Sequence, residues 1–231
     1  MRFHCSQLGK IMTNPRSKSD LGLSATAKAH VEEQILRREF GIVKEFWSRY
    51  TDKGIRVEEQ SIKLCEKVLD FGLLWKNDEV FQNDYIVGVP DVITDKVLLD
   101  VKSAWDGTTF PWFLKELKNK DYYYQLQGYM WLTGKTESYL CYCLIDTPED
   151  ILQDEIRRQH WELKQIEDAD EIEDFVRKKH SFNHIPDDMK VKTFKIDFDE
   201  EVIEKIKTRI KICNDYYEIR FKELKNEQLI L

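Results

Sequence analysis

Apolar residues recur along the chain in two periods, and the switches between them predict the order of elements. Residues 3–12 carry apolar positions at helical spacing and end at Asn14-Pro15, a stop signal. A polar, basic loop covers 13–23, and Ser24 suits the N-cap of a helix reaching about Phe46. After a break at Tyr50-Thr51-Asp52, a third helix is predicted to about Leu69, with Ile55, Ile62, Cys65 and Leu69 on one face. The period then shortens to that of a pleated strand. Short strands are predicted near 78–81, 84–89, 91–94 and 97–103, with Asp95-Lys96 as a tight turn. Helical spacing returns over 108–119, where Pro111 is tolerated in the first turn. It continues in DYYYQLQGYMWLTG, capped by Asp121 and closed by Gly134. On that helix Tyr122, Gln125, Tyr129 and Leu132 share a face.

The remainder is a strand, a charged insertion, a strand and a helix. Residues 138–146 (SYLCYCLID) read as a buried strand, and 191–198 (VKTFKIDF) alternate. A helix from 199 to about 225 carries Val202, Ile206, Ile210, Cys213 and Tyr217 in its apolar stripe. Between the two strands, Pro148 opens a charged helix to about Gln165. An acidic stretch, the basic run Arg177-Lys178-Lys179-His180 and a loop at 183–188 follow. The element order predicts an α/β fold: a central mixed, largely antiparallel sheet flanked by helices, with a C-terminal helical elaboration. A single domain is expected over 1–231, its core at about 1–147 and 191–231, with a helical excursion at about 148–190.

Composition narrows the function classes. Hydrophobic residues make up 42% of the chain, which is enough for a core. No apolar stretch is long enough to span a bilayer, and the first residues lack a signal-peptide layout, so no membrane partner and an intracellular, cytoplasmic location are expected. The formal net charge of −7 argues against coating nucleic acid through bulk charge. It leaves room for a nuclease, because a metal site concentrates acids and basic residues need only line one groove. Local basic clusters do occur, at 16–18 and at Lys115, Lys118 and Lys120. The five cysteines are odd in number and widely spread, and are expected as reduced thiols in or near the core. No Cys-x2-Cys pair marks a zinc ribbon.

The candidate chemistry lies in 85–103. Asp91 follows Gly88-Val89-Pro90 at a turn, and Asp100-Val101-Lys102 closes the apolar run Val97-Leu98-Leu99. Hard divalent cations take oxygen ligands, and Mg²⁺ is usually held by one or two carboxylates plus water and phosphate. Asp91 and Asp100 supply carboxylates, and the Val101 carbonyl a third oxygen. Lys102 points to the same side as Asp100, where an ammonium can orient attacking water and balance phosphate charge. Glu58 falls within the stripe of the third helix, where a carboxylate is costly without a partner, and it can complete an acidic cluster. Gln125 can hydrogen-bond water or phosphate without adding charge. Singly these signals are common: an Asp after Pro is usually a turn residue, and Asp-x-Lys on a strand usually a surface pair. Together, beside an aromatic-rich helix, they point to phosphodiester cleavage.

The ordered set Gly54-x3-Glu58, Pro90-Asp91, Asp100-Val101-Lys102 and Gln125-x3-Tyr129 resembles the PD-(D/E)xK nuclease superfamily, and within it the phage lambda exonuclease-like (YqaJ-type) viral recombinases. The resemblance covers roughly 4–147, including His4-Cys5-Ser6 at the opening helix and the loop Asn14-Pro15-Arg16-Ser17. It implies a restriction-endonuclease-like core and a metal-dependent exonuclease that digests the 5′ strand of duplex DNA to leave a 3′ overhang. By the same resemblance Asp91, Asp100, the Val101 carbonyl and Glu58 form the metal site, with Mg²⁺ expected and Mn²⁺ substituting. Lys102 serves the nucleophile, Gln125 assists near the scissile phosphate, and Ser6 lies near the 5′-terminal phosphate. Arg16, Lys18 and Tyr129 join Ser6 as expected DNA contacts. An arginine that the family often places ahead of the Ser6 segment has no counterpart, which leaves Arg2 or Arg16 to substitute. The implied partners are double-stranded DNA ends, a single-strand annealing protein and further copies of the chain, as a homotrimer. Iron–sulfur nucleases share Gln-x3-Tyr but need four clustered cysteines, so no such cluster is expected from Cys141-x-Cys143 and Cys213. Two alternatives stand beside this reading: a single-strand exonuclease or structure-selective endonuclease, and an idle DNA-end-binding or interaction module.

Overall fold

The computed structural model describes residues 1–16, 22–44, 47–163 and 169–228. Strand β1 (Phe3–His4), a 3₁₀ turn (Cys5–Gln7) and α1 (Leu8–Ile11) open the chain. Helices α2 (Ala25–Phe40), α3 (Arg49–Arg56) and α4 (Glu58–Val68) lead into β2 (Phe81–Gln82), β3 (Ile86–Gly88), β4 (Val92–Ile93) and β5 (Leu98–Ser103). Helix α5 (Lys120–Thr133) and β6 (Glu137–Cys143) precede α6 (Glu149–Leu163) and α7 (Ala169–His180). After a 3₁₀ turn (Asp187–Met189), β7 (Val191–Asp197) and α8 (Glu200–Gln228) close the chain. The fold is therefore mixed α/β, as expected.

The main sheet has the order β4-β5-β6-β7. β5 and β6 run parallel, and the two outer pairings are antiparallel. The parallel pair needs a crossover, and α5 supplies it. A smaller sheet, β1-β3-β2, pairs β1 parallel to β3 and β2 antiparallel to it. One core packs α1, α2, α5 and α8 together around residues such as Phe3, Leu8, Val31, Leu126 and Ile206. A second fills the space between α4 and the main sheet with Ile62, Cys65, Leu99, Val101, Cys141 and Cys143. All five cysteines are buried and free.

Several expectations need correction. Residues 3–12 are not one helix: Phe3 pairs with Ile86 across β1 and β3 and is fully buried there. α2 ends at Phe40 because Gly41 turns left-handed at φ 67° and its amide bonds back to Leu36 O. Phe46 lies outside the described residues. The third predicted helix is two, broken at Val57, whose backbone leaves helical geometry at φ −106°, ψ 8°. The break resets the helical phase, so Ile55 is 68% exposed while Val57, Ile62 and Cys65 are buried. No helix forms over 108–119. Asp106 takes the Thr108 and Thr109 amides on Oδ1 at 2.9 Å each, and this local turn replaces a helical start. The cap of α5 is Asn119 rather than Asp121: its Oδ1 accepts from Asp121 N at 2.8 Å. The strands at 78–81, 84–89 and 91–94 contract to two or three residues each. The segment 148–190 holds two helices, α6 and α7, joined through Leu152, Ile156, Ile172 and Val176. The expected helix end near Gln165 lies outside the described residues.

The site depends on a close approach of α1 and α5. A Cβ placed on Gly9 would lie 2.6 Å from Asp121 Cα, and one on Gly88 would lie 2.6 Å from the Tyr129 ring. Backbone atoms cannot yield as a side-chain tip can. Gly9→Ala is therefore expected to destabilise the fold by about 1–3 kcal/mol, read as a lower urea midpoint with an unchanged slope.

Candidate active site

Asp91 and Asp100 meet because of strand register. Val92 pairs with Leu99, and continuing that antiparallel ladder by one residue sets Asp91 beside Asp100. Asp100 is fully buried. Asp91 Oδ2 accepts from Val101 N at 2.7 Å. The Lys102 ammonium lies 2.6 Å from Asp100 Oδ2, 3.9 Å from Asp91 Oδ2 and 3.5 Å from the Val101 carbonyl oxygen. From α5, Gln125 Nε2 donates to Asp100 Oδ1 at 3.0 Å and to the Tyr129 hydroxyl at 3.1 Å. Asp100 Oδ2 receives no well-directed hydrogen bond despite the ammonium beside it. A buried carboxylate oxygen is left with capacity for another positive partner.

The electrostatics follow from burial. Burial, reinforced by Asp100, pushes the Asp91 carboxyl up to about 7 against the pull of Lys102 and the Val101 amide. Burial alone would lower Lys102, but Asp100 and Asp91 outweigh it and hold the ammonium above its ordinary range. One cation therefore sits between two crowded carboxylates, and the Asp91 carboxyl holds its proton more tightly than an exposed one.

A cleft of about 400 Å³ opens onto this cluster. Glu58, Asp91, Val101 and Lys102 line it, with Tyr50, Thr51, Gly54 and Ile55 of α3 on one wall and Tyr122 and Tyr142 on another. Glu58 arrives by a different route from the one expected. It is the first residue of α4, where the helix dipole favours an acid, and not the centre of an apolar stripe. Its partner is Lys76, at 2.7 Å. The Lys102 ammonium lies 5.5 Å from the Tyr122 ring centroid, and Tyr122 meets Tyr142 edge-on.

Some expected residues lie elsewhere. Ser6 is exposed on the 3₁₀ turn after β1, and Arg16 is exposed at a bend; neither lines the cleft. Lys18 lies outside the described residues. Tyr129, expected at the DNA, is buried behind Asp100 with its hydroxyl taken by Gln125. One positioning residue escaped the sequence reading. Asn77 donates its backbone amide to Asp91 O at 2.8 Å and its side-chain amide to Pro90 O at 3.0 Å, and so fixes the turn that aims Asp91. Its only signal was an Asn in an aperiodic stretch, a common turn residue.

No family model matches the chain, and no curated protein sequence does. Among solved structures, the chain is similar to a phage-related exonuclease from Haemophilus somnus 129PT. The two are 31% identical over 97% of this chain and 96% of that one, with a TM-score of 0.78. The chain belongs to the phage lambda exonuclease-like (YqaJ-type) viral recombinases of the PD-(D/E)xK superfamily. The fold of this family nuclease is also shared with an alkaline exonuclease from Laribacter hongkongensis and with that enzyme's dAMP complex. These are 15% and 16% identical, each with a TM-score of 0.64 over 99% of this chain and 93% of theirs. Among the described residues of the family nuclease, no helix is long and apolar enough to cross a membrane.

Proposed function

We propose that this nuclease is a Mg²⁺-dependent 5′-to-3′ exonuclease that digests one strand of linear double-stranded DNA and leaves 3′ overhangs for phage or prophage recombination. The observation that carries the reading is the pairing of half-buried Asp91 with fully buried Asp100, with the Lys102 ammonium 2.6 Å from Asp100 Oδ2. Among the described residues, no three Asp, Glu, His or Cys side chains converge closely enough to form a ligand set by themselves. Mg²⁺ keeps water and substrate phosphate as its other ligands, and Mn²⁺ substitutes. Asp91, Asp100 and the Val101 carbonyl would hold the ion, with Glu58 completing the set once it leaves Lys76. When bound, the ion supplies Lewis-acid activation of water and neutralises charge on the phosphate.

The chain's own residues do the rest. Lys102, whose ammonium lies 2.6 Å from Asp100 Oδ2, would orient the attacking water and face the phosphate. Gln125 holds Asp100 Oδ1 so that Oδ2 stays aimed at the site, and Tyr129 holds Gln125 in turn. Ser6 and Arg16, outside the cleft, contact the DNA, and Lys18 joins them as a DNA contact. The working context is the cytoplasm of a bacterial host, with a single-strand annealing protein to coat the overhang and a trimer of this chain as the assembly.

Linear duplex labelled at either the 5′ or the 3′ end, closed circular duplex and single strands test this directly. With Mg²⁺, the 5′ label is expected to be released first, and the circle to survive. Nicking of the circle would establish the structure-selective endonuclease instead, and faster digestion of single strands the single-strand exonuclease.

A further inference from the structure

Helix α3 forms a wall of the cleft yet buries almost nothing apolar. Lys53 is its only buried residue, and Tyr50 and Ile55 are exposed. Eight residues without an apolar anchor do not hold a position by hydrophobic packing. Its polar residues divide into two faces instead. Arg49, Lys53 and Arg56 recur at helical spacing and point away from the cleft, while Tyr50, Thr51, Gly54 and Ile55 line it.

Each basic residue on the far face has a specific partner. Arg49 Nη1 donates to Glu155 of α6 at 2.9 Å, a carboxylate that Arg158 also pairs. Arg56 grips Asp150 of α6 through both terminal nitrogens, at 2.5 and 2.7 Å. Between them, the Lys53 ammonium donates to Trp105 O at 2.8 Å and lies 6.0 and 5.8 Å from the Trp105 and Phe182 ring centroids. Trp105 lies two residues past the end of β5, the strand of Asp100 and Lys102, and His180 of α7 packs edge-on against it at 5.1 Å. His180 is itself fixed through Nδ1 to Thr147 Oγ1 at 2.8 Å. Burial lowers Lys53 to about 8, against the pull of Asp106 and Asp146. A buried ammonium is tolerated only where its partners are well placed, so the contact has little slack.

We propose that Arg49, Lys53 and Arg56 are positioning residues through which the α6–α7 arm sets the α3 wall, and with it the seating of a DNA end over Asp91 and Asp100. The arm is thereby part of substrate placement although it contributes nothing to the carboxylate cluster. The proposal rests on the exonuclease reading for its substrate, but the mechanical claim stands on α3 and the arm alone. The bidentate Arg56 pair is the best point of attack, because it lies at the surface and its loss leaves the cores intact.

The test compares Arg56→Asp, Asp150→Arg and the double exchange, with Lys53→Met as a fourth variant. Each is measured for KM and kcat on linear duplex, for Mn²⁺ affinity by calorimetry, and for hydrogen exchange over 49–56. Single exchanges and Lys53→Met are expected to raise KM about tenfold, with kcat within about threefold and Mn²⁺ affinity unchanged. Exchange in α3 should quicken, and the double variant should recover most of both changes. Unchanged KM and unchanged α3 exchange in the single variants would overturn the proposal, as would a double variant no better than the worse single one. Should the wild type release nothing from duplex, the exonuclease reading falls while the exchange data still decide the proposal. If Lys53→Met fails to fold, the Arg56 and Asp150 variants carry the test.

Discussion

Lys102→Met is expected to slow nucleotide release from linear duplex by about 10²–10³-fold at saturating Mg²⁺, the usual cost of removing one preorganised charge from a transition state. The same change should not weaken cation binding. Lys102 lies 2.6 Å from Asp100 and 3.9 Å from Asp91, so it competes with any cation those carboxylates take. Its removal leaves two like charges facing each other in a buried site, and Mn²⁺ affinity measured by calorimetry should be retained or increased. The metal-free variant should melt below wild type, because the buried carboxylates lose their counter-charge, and saturating Mn²⁺ should close much of that gap. A variant that degrades DNA at the wild-type rate would remove Lys102 from the chemistry. One that loses Mn²⁺ binding along with activity would make it merely structural.

Asp91→Asn should separate activity from stability. The amide oxygen can still accept from Val101 N, so the turn is kept while a ligand charge is lost. Activity with Mg²⁺ is expected to fall by about 10³-fold. In metal-free protein the variant should melt higher than wild type at pH 8, by a few degrees. The sign follows from burial. Burial pushes the Asp91 carboxyl up to about 7 in the folded chain, from 3.8 in an unfolded one. The folded state therefore holds its proton more tightly, and stability from this group is full below 3.8 and lost as pH rises through 7. The melting advantage of Asp91→Asn should shrink towards pH 4 and reverse when wild type is saturated with cation, since a ligand that binds only the folded state stabilises it. A variant less stable than wild type at pH 8 without metal would show that Asp91 is structurally favourable and not held in a costly site.

The parts of the site that were legible in the sequence are those where local pattern and tertiary structure agree. Asp100 and Lys102 end an apolar strand, so their alternation and setting survive folding unchanged. Gln125 and Tyr129 are one helical turn apart, and that spacing alone places them together. Glu58 reached the cleft, but the reason assigned to it fails. A single non-helical residue, Val57, rotated everything before it, and no periodicity argument can register a break of one residue. Segment 108–119 was misread because Asp106, Thr108 and Thr109 satisfy one another locally and pre-empt the helix. β1 and Asn77 were missed because their partners, Ile86 and the Pro90-Asp91 turn, are distant in sequence and leave no periodic trace. The α3 anchor was invisible for the same reason: Lys53 looks like a surface lysine until Trp105 and Phe182 close over it.

On the proposed function, Asp91 and Asp100 form a cation site for phosphodiester cleavage. Anomalous diffraction from crystals soaked in Mn²⁺ tests it most directly. One strong peak is expected in contact with both carboxylates and the Val101 carbonyl, absent from crystals of Asp100→Ala. No peak there in the wild type, or an equal peak in Asp100→Ala, would contradict it.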